Sequence, residues 1–364
     1  MIDLLMQYGV FLLKAVTVLI VIGLAISMIT AQNKKNHPEG KLHIQHLNQR
    51  LDDMTMQLKQ SILDKPDLKA LFKEKKQQEK AEKKQKRKSL AYKKEGSAAS
   101  TVSDQNQDSV VPVTKPRAWV LEFKGDIKAS QTEQLREEIS ALLSVAHPED
   151  EIILKLESAG GMVHGYGLAA AQLARIRNQN RKLTICIDKI AASGGYMMAS
   201  VANQIIAAPF AILGSIGVVA QIPNFHRFLQ NKKIDVDVLT AGKYKRTLTI
   251  LGKNTEEGRK KFIHDLEDTH QLFQQFVQQN RPQLVIDEVA DGAIWYGQKA
   301  LEQKLIDKIQ TSDDYILELC QTKAVYQIRY QKKKNLAEKL SKTSAAIADQ
   351  VVIQLIDRFE RLKY

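Results

Sequence analysis

Three runs, EIILKLES at 151–158, KLTICID at 182–188 and QIIAAP at 204–209, confine this chain to a narrow set of folds. Each is short, nearly continuously apolar and rich in isoleucine, which is how a strand buried on both faces reads. Segments with helical spacing separate them. Residues 131–145 carry Leu135, Ile139 and Leu142–Leu143, residues 162–177 are rich in alanine, and 193–203 has a helical look. AWVLEFKG opens the series at Ala118, and VDVLT at 236–240 reads as a further strand. Residues 255–279 form a long charged helix, and 285–309 close the domain. Strands alternating with helices make βαβ units and a mostly parallel sheet, an α/β fold. Hydrophobic residues are 44% of the chain but aromatics only 6%, so the core is built from Ala, Val, Ile and Leu.

Four further segments frame this domain, which is expected over 118–330. From Val10 to Thr30 the only charge is Lys14, so 1–31 is expected to be an uncleaved transmembrane anchor with Lys14 near one headgroup layer. A cleaved signal peptide is the alternative, but no clear A-x-A site follows. Of the formal charge of +13, residues 31–95 supply +9, with 18 Lys and Arg against 9 Asp and Glu. The basicity therefore belongs to one segment and not to a face of the folded domain. Residues 32–95 read as a basic, partly helical stalk that attracts anionic lipid. With almost no aromatic residues to stack on bases, it does not read as a nucleic-acid arm. The charge rule keeps such a segment, and the bulk of the protein, on the cytoplasmic side. Residues 96–117 are a linker by composition, and 331–364 have the spacing of an amphipathic helix, packed on its own domain or on a neighbouring subunit. Cys186 and Cys320 stand too far apart in sequence to read as a disulfide framework or a metal knuckle.

Two glycine turns follow strands: ESAGGMVHGYG at 157–167 and AASGGY at 191–196. Catalytic groups gather at the carboxyl ends of parallel strands, and glycines there bare backbone N–H groups. Ser193, at the start of a helix, is placed for nucleophilic attack, with neighbouring amides able to hold an oxyanion. By itself S-G-G is more often a helix cap than a nucleophile. A serine needs a base. His164 lies in the first turn, but no Asp is evidently placed to orient it. Lysine is the other choice, in AGKYKRTLTILG at 241–252. An ordinary lysine, with a pKa of about 10.4, is almost wholly charged at neutral pH, and desolvation can lower that value by about three to five units. Lys245 is followed by Leu248, Ile250 and Leu251, and it has Lys243 and Arg246 as like-charged neighbours. Three solvated surface charges are the plainer reading of that stretch.

The set S-x-G-G, A-S-G-G-Y, G-S-I-G and G-x-Y-K resembles the signal peptide peptidase A family, the S49 serine peptidases, most of all its membrane-anchored branch. The resemblance covers essentially the whole chain and is most specific over 150–300. It implies a ClpP/crotonase-like fold of stacked ββα units. It also implies a Ser-Lys dyad with Ser193 as nucleophile and Lys245 as general base, oriented by the hydroxyl of Ser215. The N–H groups of Gly160, Gly161 and Gly194 match the oxyanion hole. The resemblance implies a homo-oligomer whose sites are shared between neighbouring protomers, peptide substrates, and no metal or other cofactor. It places the protein in a bacterial inner membrane, with periplasmic-facing relatives keeping the orientation open. Two positions depart from the family pattern. Ala159 stands where proline is common, and Arg246 follows the lysine where a smaller or acidic residue is common. The rival functions are a crotonase-like acyl-CoA enzyme, which would want a carboxylate acid/base, and a non-catalytic membrane scaffold.

Overall fold

The computed structural model describes residues 40–64, 66–69 and 116–332, with isolated positions between 72 and 80. The anchor expected at 1–31, nearly all of the linker expected at 96–117 and nearly all of the tail expected at 331–364 lie outside the described residues. No helix among the described residues is long and apolar enough to cross a membrane. The chain divides into two compact units, residues 43–329 and a second made of 1–42 with 330–364, the latter described only at 40–42 and 330–332.

Among the described residues ten strands make two sheets. The larger contains β1 (Lys41–His46), β2 (Arg117–Lys124), β3 (Glu151–Glu157), β4 (Lys182–Ile187), β6 (Gln204–Ala207), β9 (Lys308–Ile309) and β10 (Ala324–Gln331), in the order β1-β10-β2-β3-β4-β6-β9. All neighbours from β10 to β9 run parallel. The smaller contains β5 (Ile190–Ala192), β7 (Ile212–Gly214) and β8 (Ile294–Tyr296), with β5 parallel and β8 antiparallel to β7. The helices are α1 (Leu47–Ile62), α2 (Thr132–Val145), α3 (Val163–Asn178), α4 (Gly194–Ser200), α5 (His226–Asn231), α6 (Glu256–Asn280), α7 (Ile286–Val289), α8 (Gly297–Glu302) and α9 (Ser312–Thr322).

The larger sheet is covered on both faces, which is why its strands carry no polar alternation. Leu121 and Phe123 of β2 and Leu154 of β3 join Ile139 and Leu173 of α2 and α3 in one core. Val120 and Ile153, which point the other way, join Leu47 of α1 and Tyr315 and Leu319 of α9 in a second. Burying each Leu or Ile contributes about 1.5–3 kcal/mol.

Glu151 sits beneath the second core, 2% exposed. It accepts hydrogen bonds from Tyr315 at 2.5 Å, Lys323 at 2.6 Å and Thr184 at 2.8 Å, and pairs with Lys182 at 2.9 Å. Burial opposes its ionisation, but these donors, Lys323 foremost, outweigh it and hold the carboxyl down at about 2.

One element differs from the sequence reading. Residues 236–240 are not a strand. Val238 is 43% and Leu239 92% exposed, and a strand there would have no edge or core to complete. The basic segment, read as a partly helical stalk, contributes the helix α1 to the domain. α1 is tied to α9 and β10 by Asn48, whose amide donates to the carbonyls of Cys320 and Lys323 at 2.8 and 2.9 Å and accepts from the Val325 N–H at 2.8 Å. His46 stacks on Tyr326, and Tyr326 on Trp119, with ring centroids 4.7 and 5.1 Å apart.

Candidate active site

Three chain segments run side by side out of the sheets and end together. β5 and β7 pair in register through Ala192 and Gly214. Ser158, just past β3, bridges Ala191 on the other side of β5. The residues that follow are Ala159–Gly161, Ser193–Gly194 and Ser215, so all three sequence motifs open at one place because their strands are parallel and in register.

Ser193 joins β5 to α4 with φ 51° and ψ −121°, and Ser215 leaves β7 with φ 49°. A side chain in that region carries about 1–3 kcal/mol of strain, which surrounding structure must hold. Here the Ser193 N–H donates to the Gly214 carbonyl at 2.8 Å and the Ser215 N–H to the Ala293 carbonyl at 2.6 Å. The turn lifts Ser193 to the head of α4, where the Gly194 amide has no helical partner one turn earlier. Gly160, at φ 90°, is the closest neighbour of this junction. A Cβ on it would lie 2.8 Å from the Ala192 oxygen, the Gly194 nitrogen and the Ser193 Cβ.

A cavity of about 710 Å³ opens over the junction, a size that suits a peptide segment. Ser193, Ser215, Gly160, Gly161 and Gly194 all line it. The three candidate oxyanion donors are not equivalent. The Gly160 N–H donates to Ser158 Oγ at 3.0 Å, so that hydrogen is already committed. The amides of Gly161 and Gly194 have no such acceptor among the described residues. Gly160, whose N–H the sequence reading offers to an oxyanion, thus has that hydrogen turned to Ser158 and its Cα packed close to Ser193.

Lys245 is not among the residues lining this cavity. It lies exposed on an arm, residues 218–255, that leaves the domain after Ser215 and returns at α6. The arm is closed on itself, since Asn224 donates to the carbonyls of Thr249 and Gly252 at 2.8 and 3.0 Å and the Phe225 N–H to that of Ile250 at 2.8 Å. It rests on the first turns of α6, where Thr255 caps the helix and Lys243 pairs with Glu257 at 2.8 Å. That carboxylate raises the Lys243 ammonium above the usual lysine range, so Lys243 is held as a cation. His270, thirteen residues beyond Glu257 on the same helix, lines the Ser193 cavity. At 1.5 Å per residue the two stations are about 20 Å apart along the axis.

Residues 3–173 match the family model described as Peptidase family S49 N-terminal, and residues 175–326 match Peptidase family S49. A Haemophilus influenzae protein described as "Probable protease SohB" is 46% identical over 359 residues, 98% of this chain and 96% of its own length. This chain belongs to peptidase family S49. A "Probable protease SohB" from Buchnera aphidicola subsp. Schizaphis graminum is 40% identical over 362 residues, 99% of both chains. Another, from Buchnera aphidicola subsp. Schlechtendalia chinensis, is 59% identical over 202 residues, 56% of this chain and 66% of its own.

Sequence reasoning missed part of the cavity of this S49 peptidase. Thr269, His270 and Phe273 of α6, with Asp291 and Gly292, form its far wall. His270 Nε2 lies 3.1 Å from the Ile216 carbonyl. Nothing in the local sequence marks His270, a histidine within a long charged helix, and only the fold brings α6 across the Ser193 junction. His164, weighed as a base from its place in the first glycine turn, is exposed at the start of α3 and does not line the cavity.

Proposed function

We propose that this protease is a serine endopeptidase in which Ser193 of one protomer is activated by Lys245 of a neighbouring copy. The observation that carries the reading is the Ser193 junction itself. A serine in a left-handed turn heads a helix, lines a peptide-sized cavity and has two glycine amides beside it. In this reading neutral Lys245 takes the Ser193 proton as Oγ attacks the peptide carbonyl, and the Gly194 and Gly161 N–H groups receive the oxyanion. The lysinium protonates the leaving amine, and water then resolves the acyl-enzyme. Ser215, one register position across from Ser193, is the hydroxyl that would orient the incoming amine.

The arm supports sharing between copies. Val219, Phe228, Leu239 and Tyr244 are 92%, 59%, 92% and 49% exposed, which suits a surface that another protomer covers. Contact there would also dry the Lys245 amine, and desolvation is what a lysine base needs. The ClpP/crotonase-like architecture, the domain limits read from sequence and an inner-membrane anchor at 1–31 belong to the same proposal. So do substrates released from the membrane, such as signal-peptide remnants. The test is mass spectrometry of the full-length protein after reaction with a fluorophosphonate. The adduct is expected on Ser193, and an unlabelled Ser193 in enzyme that cleaves casein removes the reading. Absence of both labelling and cleavage leaves the scaffold reading in its place.

A further inference from the structure

We infer that Ser158 and Tyr166 are positioning residues that set the spacing between the Gly160–Gly161 turn and the Gly194 amide, and thereby the fit of the site to an oxyanion. The inference rests on the assignment of Ser193 as nucleophile. Neither side chain lines the cavity. Both are buried beneath it, Ser158 at 2% and Tyr166 at 0% exposure.

Their hydrogen bonds have one consistent direction. The Asp126 carbonyl can only accept, so the Tyr166 hydroxyl spends its proton there, at 2.8 Å. The Tyr166 oxygen must then accept from Ser158, with Oγ and OH 2.5 Å apart. The Ser158 oxygen accepts in turn from the Gly160 N–H at 3.0 Å. The result is a chain from Gly160 through Ser158 and Tyr166 to Asp126 in which every hydrogen has one acceptor. Such chains polarise and reinforce one another away from water. Burial raises the Tyr166 hydroxyl above its usual range, which keeps it a donor at any working pH.

Tyr166 also touches the second turn. A Cβ on Gly194 would lie 2.4 Å from its Cγ, and one on Gly125 would lie 2.3 Å from both Ser158 Oγ and the Tyr166 oxygen. The ring therefore bears on Gly194 while the hydroxyl, through Ser158, holds Gly160. Phe123 meets the same ring edge-on at a centroid distance of 6.5 Å, which fixes the ring independently of its hydroxyl. One side chain references both turns that flank the nucleophile. Ala159 is exposed and its N–H has no acceptor among the described residues, so between the Ser158 backbone bridge and Gly160 the Ser158 hydroxyl is what holds the turn by hydrogen bonding.

The experiment uses full-length protein in detergent and compares wild type, Tyr166→Phe, Ser158→Ala and Ser158→Ala/Ala159→Pro. It reads fluorophosphonate labelling at Ser193, kcat and KM on fluorescein-labelled casein, and Tm. Misplacing one oxyanion donor costs about 10²–10³ in rate when the donor is lost outright, so the single variants are expected to lose about tenfold or more in kcat and in labelling rate, with KM within about twofold. Proline at 159 removes no hydrogen bond and restricts the turn through its ring, so the double variant is expected to recover most of the loss. Wild-type labelling of Ser193 with an unchanged rate in either single variant overturns the inference. So does a loss that follows Tm and is not restored by Ala159→Pro, because that is packing and not positioning. If wild type is not labelled at Ser193, the assignment of the nucleophile has failed first, and the two failures are told apart.

Discussion

At the scale of the residue, the proposed dyad turns on two side chains that local chemistry treats differently. Ser193 is held in a backbone conformation that only its surroundings can impose, and it lines the cavity. Ser193→Ala is expected to abolish casein cleavage with Tm unchanged within about 2 °C, since the substitution removes one exposed-face hydroxyl and no packing. Lys245→Ala is expected to abolish it equally. Lys243→Ala is the control. Its ammonium is fixed as a cation by Glu257, and a solvent-exposed pair of this kind adds little to stability, so activity is expected to stay within about threefold of wild type. A loss at Lys243 equal to that at Lys245 would mean that the wrong amine has been assigned.

At the scale of the element, what the sequence discloses follows how local each cause is. β2, β3 and β4 are visible as apolar runs because both of their faces are buried. α6 is visible because Thr255, Glu256 and Glu257 write a helix start into four residues, and the Thr255 side chain does accept from the Gly258 N–H. Helix ends were legible to within a few residues, α2 beginning at Thr132 and α3 at Val163. Residues 236–240 misled because Val236, Val238 and Leu239 have strand chemistry without a strand's neighbours. The commitment of the Gly160 amide was illegible for a different reason: it depends on Tyr166, one helix away, and on the carbonyl of Asp126. The Glu151 cluster joins β3, β4 and α9, with Lys323 just before β10, in the same nonlocal way. Its carboxyl sits below its unfolded value near 4.5, so the stability it contributes is complete above that pH and is lost as pH falls through 4.5 toward 2. Thermal melts are expected to show Tm dropping across pH 5 to 3 in wild type and a smaller drop in Glu151→Gln, which is less stable at pH 7. Matching slopes would show that the cluster is not the acid-sensitive joint.

At the scale of the whole molecule, the proposed sharing makes the arm the element that sets how many copies a working site requires. Along α6 the station that holds Lys243 and the station that lines the Ser193 cavity are about 20 Å apart, and Lys245 does not line that cavity, which is the ground for proposing a dyad shared between protomers. Inactive Ser193→Ala and inactive Lys245→Ala proteins, coexpressed and purified together, are expected to regain about a quarter of wild-type activity, the share of random neighbour pairs that unite an intact serine with an intact lysine. Mixed assemblies as inactive as either parent would place both groups within one protomer.

The clasp of Asn48 on α9 and β10 has a consequence for the basic segment. Asn48 fastens α1, the described helix of that segment, to the carbonyls of Cys320 and Lys323 and to the Val325 N–H. Asn48→Ala would therefore cost three bonds at once and unfasten the helix from both α9 and β10.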